Sequence, residues 1–222
     1  MIKPHALTAL ILVISSGCGG AVAPSGSPEP TPTMQPTIAP TPTLAPSPTV
    51  VPLRVGVLPP GTYSTNRFVP QLTLTLGEGW HLLFQDEEDE IAFERSGPAF
   101  FGISFTTQVV DPATGRPLSA PDDLVAWLAN HPALEADQPE PATVVGVTGS
   151  SLEASVKDVP VMDVFAYPEG NYHVVSGERV RFYVLPFDGP DLVIVFSTAS
   201  DRFEAMAAEM QSVIDSIEVD AP

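Results

Sequence analysis

Leu72, Leu74 and Leu76 alternate with Thr73 and Thr75, the period-two signature of a strand with one buried face. Gly77-Glu78-Gly79 then marks a turn, and 80–84 reads as a second strand. The acidic run 86–90 is too charged to bury and predicts a loop. Residues 91–95 return as a third strand. A long fourth strand is expected over 100–110, with Phe101, Ile103 and Phe105 on one face. These four compose an antiparallel meander.

The period then changes from two to 3.6. Ser119 is the expected N-cap of a helix with Pro121, Asp122 and Asp123 in its first turn, where acidic groups favour the helix dipole. Leu124, Trp127 and Leu128 make its apolar stripe, and His131-Pro132 ends it. A polar, proline-rich link is expected over 135–141. Residues 143–147 and 152–156 predict a hairpin around Gly149, and 163–167 and 172–175 predict two short strands. The clearest hairpin joins 179–185 to 192–197. Its second arm, Leu192-Val193-Ile194-Val195-Phe196, is apolar without interruption, as a central strand requires. From about Asp201 onward Phe203, Met206, Ala207, Met210, Val213, Ile214 and Ile217 recur at helical spacing. The order strands, helix, strands, helix predicts an α+β domain: a mainly antiparallel sheet with two principal helices packed on it, mainly on one face.

The first 52 residues follow different rules. Lys3 precedes an apolar run over 6–14, interrupted by Thr8, and Ser15, Ser16, Gly17 and Cys18 follow. Charge, short apolar run and small residues form the layout of an export signal. The run is far short of the ~20 residues of a spanning helix. With Gly17 and Cys18 at its end, it resembles the bacterial lipoprotein signal. The resemblance implies cleavage at 1–17, a diacylglyceryl group and commonly an N-acyl chain such as palmitate on Cys18, and a cell-membrane anchor on the extracytoplasmic side. The alternative is an ordinary signal peptide with an incidental cysteine. Cys18 is the chain's one cysteine, so an internal disulfide and a CxxC site are excluded.

About a dozen of the 26 prolines lie between 19 and 60, among threonines and serines. Proline removes a backbone donor and extends its predecessor, so 18–52 is expected to be a disordered, polyproline-II-like stalk, leaving 53–222 as one globular domain. At ~3.1 Å per residue, some 35 residues would reach on the order of 100 Å. A spacer is the leading reading, with O-glycosylation or an SH3-type ligand as alternatives.

Charge then narrows the partners. The formal net charge is −18, and loss of Lys3 with the signal makes it −19. That disfavours nucleic acid and anionic lipid as direct partners.

Candidate chemistry is sparse. His81, His131 and His173 form no HxH or HExxH spacing. His131 is expected to act as a cation at a helix C-terminus. Thr148-Gly149-Ser150-Ser151 reads as a turn and no nucleophile elbow. The acidic run suits a hard cation only loosely, lacking the alternating ligands of an EF-hand. Arg179, Arg181 and Tyr183 share one strand face, as a candidate binding patch or as wet-side arginines paired with carboxylates. No cofactor or metal is expected.

The stretches GTYSTNRFVPQLTLTLGEGW, LVAWLANHPALEADQPEPATVVGVTG and GERVRFYVLPFDGPDLVIVFS, with the closing VIDSIEV, resemble a group of uncharacterised exported proteins and lipoproteins of bacteria. More distantly, the Gly79-Trp80 strand, the central helix and the last strand running into a helix at Asp215-Ser216-Ile217 resemble the PsbP/Mog1-like fold. That resemblance implies binding or assembly roles more than catalysis. The expectation is a non-enzymatic module binding an envelope protein or component. The rivals are a small-ligand sensor or enzyme built from Asp, Glu, Tyr and Arg on the sheet, and a photosynthetic accessory role.

Overall fold

The computed structural model describes residues 49–83, 87–97, 99–168 and 170–219. Cys18, the export signal, the stalk up to residue 48, Phe84 of the second expected strand and Asp86 of the acidic run lie outside the described residues.

The chain opens with β1 (Val50–Pro52), β2 (Gly56–Leu58), β3 (Gly61–Ser64), β4 (Leu72–Leu76) and β5 (Trp80–Leu82). It continues through β6 (Glu90–Arg95), β7 (Ala99–Thr106), β8 (Gln108–Val110) and β9 (Pro117–Ser119) into helix α1 (Leu124–Ala129). Next come β10 (Leu134–Ala136), β11 (Glu140–Val144), β12 (Val147–Val156), β13 (Val161–Tyr167) and β14 (Gly170–Val175). The order closes with β15 (Glu178–Leu185), β16 (Asp191–Ala199), helix α2 (Phe203–Asp215) and β17 (Glu218–Val219).

These strands form three sheets. The largest runs β10-β12-β15-β16-β7-β6-β5-β2, with β11 sharing the β12 edge with β10. The others run β1-β3-β4-β17 and β14-β13-β8-β9. Pairing is antiparallel except between β1 and β3. The architecture is therefore mostly antiparallel sheet with two helices, and the uninterrupted apolar strand at 192–196 does lie centrally, between β15 and β7.

Alternation along β16 divides the core. Leu192, Ile194 and Phe196 join α2 and β4 in one cluster, while Val193 and Val195 join α1, β13 and β14 in the other. Both faces of the large sheet are covered, and α1 and α2 contribute to opposite ones. The expectation of helices mainly on one face is corrected. A strand apolar at every position must bury both its faces, so one helix layer is not enough.

Five local expectations also change. The 100–110 strand is two strands in two sheets. β7 loses its partner where Thr106 meets Asp191 at the start of β16, and beyond it Val109 pairs with Phe165. Ser119 is not the helix cap: it pairs with Gln108 in β9. Asp123 caps α1 instead, its Oδ1 accepting from the Ala126 N–H at 2.9 Å. The 135–141 link contributes to β10 and β11. The hairpin turns at Val145-Gly146, not at Gly149: both turn residues have positive φ, 54° and 75°, as a two-residue turn matching strand twist requires. Gly149 lies inside β12, where an added Cβ would come within 2.2 Å of the Val184 carbonyl oxygen. That close approach, not a turn, requires the glycine.

The fifth correction concerns His131. It is buried at 3 % exposure, and burial lowers its pKa below the ordinary 6.5. Its Nδ1 accepts from the Ala133 N–H at 3.3 Å, while Nε2 meets no hydrogen-bond partner among the described residues. A buried imidazole in this setting is neutral, so it is no helix-terminal cation.

Candidate functional site

Strand register carries the sequence pattern across the sheet as rows of side chains on one face. One row reads Glu153, Arg181, Phe196, Phe101, Phe93, Leu82. The neighbouring row reads Glu140, Ser151, Tyr183, Ile194, Ile103, Ile91. Both rows are apolar from β16 onward and polar on β11, β12 and β15. The polar ends border a groove of about 450 Å³ alongside α2.

Arg179, Arg181 and Tyr183 project to this face, as alternation along β15 demands. Glu153 bridges the two arginines: Arg181 donates from Nε at 2.8 Å and also from its Nη2, and Arg179 pairs with the other carboxylate oxygen. Arg179 further meets Glu204 of α2 at 3.1 Å and Asp137 at 3.6 Å. Both guanidinium groups lie over the Phe203 ring, 4.9 and 5.5 Å from its centroid, an attractive placement for a cation on a π face. Burial works against the Arg181 charge, but Glu153 and Tyr183 outweigh it and raise its pKa above the ordinary value. The Tyr183 hydroxyl donates to Gln211 Oε1 at 3.0 Å, and the Gln211 amide nitrogen donates to Asp215 at 2.8 Å.

The arrangement is a fixed polar lattice. Its arginines carry carboxylate partners, so it offers no unmatched positive charge to an anion. Gln138, Thr143, Ser151 and Gln211 complete the groove with amide and hydroxyl groups. The groove thus presents hydrogen-bond donors and acceptors at fixed positions.

Sequence reasoning placed Arg179, Arg181 and Tyr183 on one face but missed Glu153, Glu204 and Gln211. Glu153 had a usable signal: in strand 152–156 it alternates with Leu152 and Ala154, so it must face away from their core. Its pairing with Arg181 depends on register, which no local pattern reveals.

The other expected groups stay apart. His81 Nδ1 lies 3.2 Å from Glu94, both side chains being exposed, His173 is exposed opposite Asp163, and His131 is buried beside Trp127. In the acidic run Glu87 pairs with Arg67 at 2.6 Å, and Glu90 begins β6. Among the described residues no three His, Cys, Asp or Glu side chains converge as a metal-ligand set. No described helix is long and apolar enough to cross a membrane.

No protein-family model matches the chain, and no curated protein matches it. Among solved structures it is similar to a protein from Bacteroides thetaiotaomicron VPI-5482 at 13% identity and TM-score 0.37, covering 68% of this chain and 45% of that one, so it spans less than half the length of that protein. It is similar to cyanobacterial PsbP (CyanoP) from Synechocystis sp. PCC 6803 at 15% identity and TM-score 0.36, covering 67% and 86% respectively. It is also similar to LpqN of Mycobacterium tuberculosis, involved in cell envelope biogenesis, at 13% identity and TM-score 0.30, covering 79% and 90%.

Proposed function

We propose that this chain is a non-enzymatic binding module outside the cytoplasm, anchored by lipid on Cys18 and a proline-rich spacer. Its polar groove takes a hydrogen-bonding segment of an envelope component. The observation supporting this reading is the lattice of Arg179, Arg181, Glu153, Tyr183 and Gln211. It holds donors and acceptors in place before any partner arrives, and preorganisation lowers the cost of binding. The finer assignment to a PsbP/Mog1-like layout rests on element order: β5 at Trp80, α1 in the middle, and β16 leading into α2.

Two measurements test the proposal in the source cell. Metabolic labelling with a palmitate analogue should mark the wild-type chain and not a Cys18→Ser variant; labelling of both would remove the anchor. A photo-crosslinking residue at exposed Thr143, on the groove, should capture a discrete envelope component that the same residue at exposed Asp188 does not. Equal capture at both positions, or none at Thr143, would sink the groove as a binding site.

A further inference from the structure

The opposite face of the large sheet carries a second site. Its register row runs Phe182, Val195, Gly102, Ala92. The row passes from the larger Phe182 and Val195 to the small Gly102 and Ala92, and a hollow of about 200 Å³ remains over those two, beneath the hairpin of β13 and β14. Phe100, Tyr167 and Tyr172 wall it, and the Phe100 ring packs tilted against Tyr172 with ring centroids 5.1 Å apart. The Tyr167 hydroxyl reaches Ser104 at 2.7 Å and Thr106 at 3.3 Å. Tyr172 is nine-tenths buried, and its hydroxyl faces Ser197 without meeting a partner in hydrogen-bond geometry among the described residues.

The described lining of the hollow includes a carboxylate. Glu90 lines it, and among the described lining residues none is Lys, Arg or His. Burial raises the pKa of Tyr167, its bonds to Ser104 and Thr106 lower it, and the charges of Glu90 and Asp89 raise it further. Glu178 acts in the same direction at Tyr172, after burial. Both phenols are therefore neutral. Aromatic faces and the Glu90 carboxylate together favour a cation. Volume limits its size: a dry cavity of about 150 Å³ holds a benzene ring, so this hollow admits one ring with a short arm.

We propose that this hollow binds a small organic monocation with an apolar body, an amine or quaternary ammonium on a single ring or short chain. The site is on the face opposite the polar groove and does not depend on it.

The test is calorimetric titration of the full chain, carrying Cys18→Ser to keep it free of lipid, with benzylamine, benzyl alcohol and benzoate. These probes share a ring and differ in charge. Benzylamine should bind about tenfold more tightly than benzyl alcohol, the scale of a desolvated cation–π contact beside a carboxylate, and benzoate should not bind. Glu90→Gln keeps the shape and should remove most of that preference. Ala92→Leu fills the hollow and should abolish binding of both ligands, with circular dichroism confirming the fold. If benzylamine binds no better than benzyl alcohol, or binds Glu90→Gln equally well, charge selection is overturned. If no probe binds the parent chain, the site itself is overturned.

Discussion

The row Glu153, Arg181, Phe196, Phe101, Phe93 crosses one face of one sheet, yet its two ends obey different physics. At the aromatic end Phe93 and Phe101 stack at 5.7 Å, Phe196 meets Phe203 of α2 at 5.4 Å, and these side chains are almost fully buried. Stability there comes from area removed from water and from close packing. At the polar end Arg181 and Glu153 keep side-chain exposures of 24% and 17%. Stability there depends on each charge having its partner. Helix α2 serves both ends: Phe203 and Met210 enter the core, while Glu204 reaches Arg179 and Gln211 reaches Tyr183. The comparison teaches that this helix is both the lid of the core and the wall of the groove.

The largest way to break the contrast is Phe101→Ala. Deleting a fully buried ring leaves a cavity, and the expected loss is about 3–5 kcal/mol, measured as a lowered urea midpoint. A loss under about 1 kcal/mol would mean that this row is not the packing centre. Glu153→Gln acts on the other end and should cost less, about 1–2 kcal/mol, because the pair is only partly desolvated. Its signature is salt: the difference from wild type should shrink as ionic strength rises, whereas that of Phe101→Ala should not. Equal salt responses would erase the distinction between the two ends.

The smallest effect sharpens the comparison through a buried polar group that lacks a charged partner. The folded-state pKa of His131 lies below 6.5 because burial disfavours the imidazolium. Above 6.5 its contribution to stability is fully present. As pH falls from there towards the folded value, the unfolded chain takes up the proton first, and stability is lost. Urea midpoints at about pH 7.5 and about pH 5.5 should therefore fall further in wild type than in His131→Gln. A parallel fall in both would show that His131 does not drive the loss.

Much of this was legible locally. The Leu72–Leu76 alternation is reproduced in its burial, with all three leucines inside. Phe203, Ala207, Met210, Val213 and Ile214 are the buried stripe of α2, as their spacing predicts. These readings held because a side chain's direction follows from strand or helix geometry alone. The α1 cap is not legible locally because Ser119 and Asp123 are both good caps, and only the β8–β9 pairing removes Ser119 from contention.

By itself, then, the sequence determined the strand and helix periods, the central place of 192–196, and the common face of Arg179, Arg181 and Tyr183. Tertiary structure alone decided that Glu153 lies across from Arg181, that 100–110 divides between two sheets, and that a row ending in Gly102 and Ala92 leaves a hollow beneath Tyr167 and Tyr172. The physical reason is range. Period and propensity act over a few residues, whereas register joins residues tens of positions apart, and a one-residue slip would exchange every face.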